Sequence, residues 1–278
     1  MIESRPPGTP MLSHQEQAAY FAAVKLGVRL LTAAFLCETL GLSSGHAAVL
    51  LHRLATKGVL ERVGHGKYAV VATEVLYERK TKGVDLRGTL HALMTSFGLA
   101  DQYYIGFQSA AQLHGAAHQQ PFVLQVASVR QRLPTNVGQE TIQFVKVMPS
   151  RVFGIEDRRY RDALVRVSDR ERTALDLIDR ANLGGGIEEA ARTVGALLTD
   201  GDVGRLAEYA ARLQRHSTAQ RLGLILERLD LDIPASITTA LLDLRGSSLV
   251  LLEPSGSRTG PIDRRWRVRL NVPLDELS

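Results

Sequence analysis

Leu31–Val71 reads LTAAFLCETLGLSSGHAAVLLHRLATKGVLERVGHGKYAVV, and this stretch decides the fold of the N-terminal part of the chain. A helix is expected from Thr32 to about Leu40, stopped by Gly41, which tolerates the left-handed conformation of a tight helix stop. Ser43 or Ser44 then caps a second helix that runs to about Lys57, because a serine hydroxyl accepts a bond from an unpaired first-turn amide. Leu42, Val49, Leu50 and Leu54 are read as its inward stripe, leaving Ser44, Gly45, His46, Ala48, His52 and Arg53 outward. Beyond Gly58 the period changes: Leu60–Val63 and Lys67–Val71 are strand-like and joined by Gly64-His65-Gly66, a hairpin turn. Helix, turn, helix and hairpin in this order make a winged helix.

Such a module places one helix in a major groove and a hairpin against the flanking backbone. The residues offered to DNA are Ser43, Ser44, Gly45, His46, His52, Arg53 and Lys57 on the second helix, with Arg62, His65 and Lys67 on the wing. Small residues at the helix start leave its amides and dipole open to a phosphate. Nothing acidic lies between Glu38 and Glu61. Winged helices also serve as protein-interaction modules, so the pattern by itself favours DNA without naming a base sequence.

The 278 residues are 45% hydrophobic, enough for one large core or two modest ones. A net charge of +5 suits a nucleic-acid partner without proving one. Cys37 is the single cysteine, which excludes intrachain disulfides and multi-cysteine zinc sites and suits a reducing cytosol. The longest apolar run, Ala18–Leu36, is broken by Lys25 and Arg29, so neither a membrane span nor a membrane partner is expected. Residues 1–10 are proline-rich, expected to be loose and without a secretion signal; Met11 is a possible alternative start.

A capping box, Ser13 with Glu16, opens an earlier helix to about Leu26 with Ala18, Phe21 and Val24 turned inward. Residues 11–80 are thus assigned to the winged helix, and TEVLYERKTKGVD at Thr73–Asp85 to a charged joint with its boundary near Gly83. In residues 84–278, a helix at Leu86–Phe97 leads to an aromatic cluster and a helix ending at Gly115. Strands are expected at Phe122–Ala127, Ile142–Val147 and Leu164–Val167, with Arg158, Arg159 and Arg161 on a surface loop. Helices follow: one capped by Ser168 with Glu171 and broken at Asn182–Gly186, then Ile187–Leu198, Val203–Arg215, one capped by Ser217 with Gln220, and Ala235–Leu241. Closing strands are expected at Leu249–Leu252 and Trp266–Val272, the second with Arg265, Arg267 and Arg269 in a row on one face. Grouped strands followed by grouped helices make this an α+β domain.

The arginine row is a candidate grip for phosphates or an acidic partner, set against the plainer reading of a solvated strand face. Arg130 and Arg132, near Pro134, and the arginines at 158–161 are weaker candidates for contact along a DNA backbone. No metal, cofactor or catalytic site is assigned. Asp169, Asp176 and Asp179 read as a helix start and water-facing carboxylates, and Gly64-His65-Gly66-Lys67 lacks P-loop spacing. Tyr103, Tyr104 and Phe107 read as packing.

Taken together, the winged helix, YYIGFQSAAQLHG at Tyr103–Gly115, VSDRERTALDLIDRANLGGGIEEAAR at Val167–Arg192 and W-x-V-x-x-N-V at Trp266–Val272 resemble the AbiEi family of antitoxins. The resemblance implies a bacterial repressor of its own toxin–antitoxin operon and leaves open whether neutralisation needs direct contact; apart from it, a homodimer on operator DNA is expected from the pairing of two half-sites. Its C-terminal domain would counter a toxin that resembles nucleotidyltransferases. No catalytic residue is carried over, because the matching motifs are scaffold. Two alternatives stay open: a one-component regulator whose second domain senses a small molecule, and an antitoxin that modifies its toxin as a protein kinase.

Overall fold

The computed structural model describes residues 11–71, 84–117, 123–137, 140–161, 163–229 and 231–273. The charged joint and the boundary near Gly83 lie outside the described residues, as do residues 1–10. The first unit runs α1 (His14–Lys25), β1 (Leu30–Leu31), α2 (Ala33–Leu40), α3 (Ser44–Thr56), β2 (Leu60–Gly64) and β3 (Lys67–Val70). Its three strands lie in the order β1-β3-β2, all antiparallel. Thr32 and Ser43 cap α2 and α3 through their hydroxyls, and Gly41 closes α2 at φ 66°. The two helices meet at 112°, within the range of helix-turn-helix pairs.

Two stripes differ from the sequence reading. In α3 the buried residues are Ala47, Leu50, Leu51 and Leu54, while Val49 is 49% exposed. In α1 the Ser13–Glu16 capping box forms, yet Glu16, Ala19, Tyr20 and Ala23 face inward and Phe21 and Val24 face out. Small alanines let α1 approach closely, and the Tyr20 hydroxyl reaches the Val71 carbonyl, a bond the outer phase does not allow.

The second unit is α+β. It adds α4 (Leu86–Ser96), β4 (Tyr103–Ile105), α5 (Phe107–Leu113), β5 (Val123–Ser128), β6 (Thr135–Val137), β7 (Glu140–Lys146), β8 (Ile155–Tyr160) and β9 (Ala163–Ser168). These strands form one mixed sheet, β6-β7-β5-β4-β9-β8, with β5–β7 and β4–β9 parallel. The aromatic cluster is therefore partly a central strand, and the arginine loop at 158–159 is an edge strand paired throughout with β9. Helices α6 (Arg170–Asp179), α7 (Ile187–Leu198), α8 (Val203–Leu213), α9 (His216–Arg228) and α10 (Ala235–Asp243) pack on one side. Asp169 rather than Ser168 caps α6, and α9 starts at His216 without a side-chain cap, so Ser217 caps nothing. Three short strands, β10 (Val250–Leu251), β11 (Ile262–Asp263) and β12 (Val268–Arg269), close the chain.

The two units share a core. Val63 and Ala69 of the wing pack with Leu86, Leu90, Tyr103 and Ile142 in one cluster. Arg29 reaches across to Asp85 at 3.1 Å, and Gly88 leaves the space this pair occupies. Among the described residues no single helix is long and apolar enough to cross a membrane.

Candidate nucleic-acid interface

The turn Gly41–Ser43 sets α3 on top of α2, and burial of Ala47, Leu50, Leu51 and Leu54 fixes its rotation. What remains outward is Ser44, Gly45, His46, Ala48, Val49, His52 and Arg53, all exposed. Ser43 accepts from the His46 amide at 3.4 Å, which leaves the preceding amides to solvent or a phosphate. His46, Val49 and Arg53 follow one another at spacings of three and four, so they form one line along the helix. That line combines donors, which read base edges, with an apolar side chain suited to a thymine methyl. Among the described residues no part of the second unit covers this face, because the shared core lies on the strand side through Val63 and Ala69.

Three residues expected at DNA have other engagements. Lys57 Nζ donates to Glu16 Oε2 at 2.6 Å and to the Met11 carbonyl at 2.9 Å, so it holds α1 instead of extending the α3 face. The same ammonium is the largest cause holding the Glu16 carboxyl below its ordinary value. Lys67 is half-buried, with its ammonium 5.3 Å from the centroid of Phe97 in the second unit. Arg62 is exposed and its Nε donates back to Gly64 at 3.3 Å; His65 stands exposed at the hairpin tip. The wing thus presents Arg62 and His65 directly and Lys67 from its flank.

The arginine row does not form. β12 is two residues long, Arg264–Arg267 is a turn, and Arg267 sits in the left-handed region at φ 55°. Arg265 pairs with Glu227 at 2.8 Å, and its carbonyl accepts from Arg245. Arg267 donates to Gly246 at 3.3 Å and Arg269 to Gly260 at 2.9 Å. The physical cause is Trp266: it is fully buried and its indole donates to Glu227 at 2.7 Å, which draws the chain into a turn.

A second polar region was read as water-facing and is internal. Asp176 is buried, 2.8 Å from Arg172 and 3.0 Å from the Tyr104 hydroxyl. Burial pushes its carboxyl up, while Arg172 and Tyr104 pull it down. Asp179 pairs with Arg215 at 3.0 Å and Arg151 at 3.6 Å. Nearby, His114 Nε2 donates to the Ser168 carbonyl at 2.7 Å and Nδ1 accepts from Arg158 at 2.8 Å. Those roles require a neutral ring, and burial, helped by the charge of Arg158, holds His114 below its ordinary value. An open crevice of about 450 Å³ borders His114, Asp169 and Glu171. Its buried carboxylates are occupied: Asp169 by Tyr209 and the Arg172 amide, Glu171 by the Asp202 amide and Arg205. Among the described residues no group of three His, Cys, Asp or Glu side chains stands ready for a metal ion.

Residues 20–71 match a family model described as a transcriptional regulator, AbiEi antitoxin. Residues 104–228 match one described as the AbiEi antitoxin C-terminal domain. Among solved structures the chain is similar to the RV2827C protein of Mycobacterium tuberculosis. The TM-score is 0.67 at 14% identity over 94% of each chain, a likeness of fold. Among curated proteins none matches.

Proposed function

The chain belongs to the AbiEi antitoxin family, and on that premise we propose that it represses its own toxin–antitoxin operon and neutralises a nucleotidyltransferase-like toxin. The recognition surface is α3, with His46, Val49, His52 and Arg53 against base edges and Arg62 and His65 against phosphates. Two copies occupy two half-sites, since one winged helix reads only a few base pairs. The residues from 84 onward counter the toxin by binding it, with no chemical step assigned to any side chain.

The observation that carries the DNA half is the open α3 face, whose polar side chains are left outside the core while the wing is docked behind it. Mobility-shift titration against the DNA upstream of its own gene tests it. A retarded complex at low salt is expected, and folded protein that leaves the duplex unshifted defeats the reading. For the toxin half, co-expression with the neighbouring gene product should restore growth. Mass spectrometry of the rescued toxin should find it unmodified, and a phosphorylated toxin would overturn binding as the route.

A further inference from the structure

Strand β8 is one outer edge of the six-stranded sheet, and among the described residues no strand pairs with its free side. Its backbone phase is set by β9. The ladder runs from Ile155 opposite Ser168 to Tyr160 opposite Ala163, and just beyond it the Asp169 amide donates to the Gly154 carbonyl at 2.9 Å. Bonded and non-bonded positions alternate along an antiparallel strand, so Glu156, Arg158 and Tyr160 share the phase of Gly154 and bond to β9. The N–H and C=O groups of Ile155, Asp157 and Arg159 therefore point away from the sheet. None of them has a hydrogen-bond partner among the described residues. Such a row of open donors and acceptors is a template for another strand.

The side chains select the strand. Asp157 and Arg159 are exposed and two residues apart, so they share one face of β8. Neither makes an ion pair among the described residues, because Arg166, opposite Asp157 on β9, is taken by Asp101 at 3.5 Å. On the other face Arg158 donates to His114 at 2.8 Å. Charged edge residues ordinarily deter pairing, and a row of one sign would do so here. This row alternates. Let a second β8 run antiparallel beside the first, with Arg158 facing Arg158 across a two-fold axis. Asp157 of each copy then lies directly opposite Arg159 of the other, at positions whose main-chain groups also meet. The central arginines are each flanked diagonally by Glu156 of the other copy. The adjacent registers set Asp157 against Asp157 or Arg159 against Arg159, and like charges directly opposite are unfavourable.

We infer that the β8 edge is a self-association surface, occupied by β8 of a second copy of this chain. Asp157 and Arg159 fix its register, and the two six-stranded sheets join edge to edge. The opposite edge of each sheet, β6, packs beside the wing strand β2, so the winged helices stand at the outer ends of the dimer. The contact gives a surface to the two copies invoked for the operator. It is argued from the strand alone and is measured without DNA, so it and the operator reading fail separately.

Sedimentation equilibrium of the full chain tests it. Wild type should show a reversible monomer–dimer equilibrium that weakens as salt screens the facing charges. Arg159→Asp makes both positions acidic and Asp157→Arg makes both basic, so each variant alone should raise the dimer dissociation constant about tenfold or more. Both side chains are exposed, so the far-ultraviolet circular dichroism of each variant should match wild type. An equimolar mixture of the two variants should recover the dimer, because every facing pair is again of opposite sign. The double variant Asp157→Arg with Arg159→Asp should associate as wild type does. A wild type that stays monomeric at the highest soluble concentration overturns the inference. So does a dimer indifferent to both single reversals, or folded variants whose mixture stays monomeric.

Discussion

The outward face of α3 and the closing segment Arg265–Arg269 carry the same kind of side chain, and the fold treats them oppositely. Arg53 and His52 stand on a helix whose rotation is fixed by Ala47, Leu50, Leu51 and Leu54 one turn away, so they are left outside. Arg265, Arg267 and Arg269 flank Trp266, whose burial bends the chain and brings a carboxylate or carbonyl to each guanidinium. A cation is available for a partner when the residues buried beside it hold its segment by the opposite face and bring it no acceptor. The number of arginines in a stretch says little; the residue that is pulled in decides.

The hardest break of that contrast is Trp266→Ala. The indole is fully buried among the helices and hydrogen-bonded to Glu227, so its removal should cost about 3–5 kcal/mol by denaturant unfolding. The closing arginines would then lose their carbonyl partners and become protease-accessible. Next in size is Arg53→Ala combined with His52→Ala, which should weaken DNA binding tenfold or more, at roughly 1–3 kcal/mol per lost base contact. Both residues are exposed, so thermal stability should stay where it is. A double variant that binds its duplex as wild type does would move recognition off α3.

Smaller still is the triple change of Arg265, Arg267 and Arg269 to Ser. The Arg265–Glu227 pair is solvent-exposed and the other two bonds lie near the surface, so the expected stability loss is about 1 kcal/mol. DNA affinity and toxin protection should not change. A drop in either would mean that these guanidiniums leave their internal partners to meet an external one.

The difference between these regions also shows what a sequence discloses. Gly41, Ser43 and the glycines of the hairpin act on their immediate neighbours, and the winged helix was readable from them. The helices at Ile187–Leu198 and Val203–Leu213 show the same legibility, because a continuous apolar stripe marks them. Local rules fail where the decisive partner is distant. Asp176 looked solvated because Tyr104, which bonds it, comes from another part of the chain. The edge strand β8 looked like a loop because its charged residues face water, and only pairing with β9 reveals it. At the interface, the α3 surface was legible apart from Val49, while the engagements of Lys57 with α1 and of Lys67 with Phe97 were not, because those partners are distant in the chain. The signal for Val49 was present: Ala47, Leu50, Leu51 and Leu54 make the better helical stripe.

The subtlest test separates the two units by acid. His114 in the second unit is held neutral, with a folded-state pKa below the ordinary 6.5, by burial and then by Arg158. A depressed pKa means that the unfolded chain takes up the proton first, so stability is intact above pH 6.5 and falls as pH drops below it. Glu16 in the winged helix is also depressed, through the Lys57 hydrogen bond, from an ordinary value of 4.5. Its contribution therefore persists through the range in which that of His114 declines, and fails only below pH 4.5. Thermal melts from pH 7.5 to 5.5 should show a decline that His114→Gln flattens and Glu16→Gln does not. Glu16→Gln should lower the melting temperature at pH 7 and flatten the curve only below pH 4.5. Because Val63 and Ala69 join the two units in one core, the wild-type decline should be seen by probes in either unit. A decline confined to the second unit would mean that the shared core does not couple them.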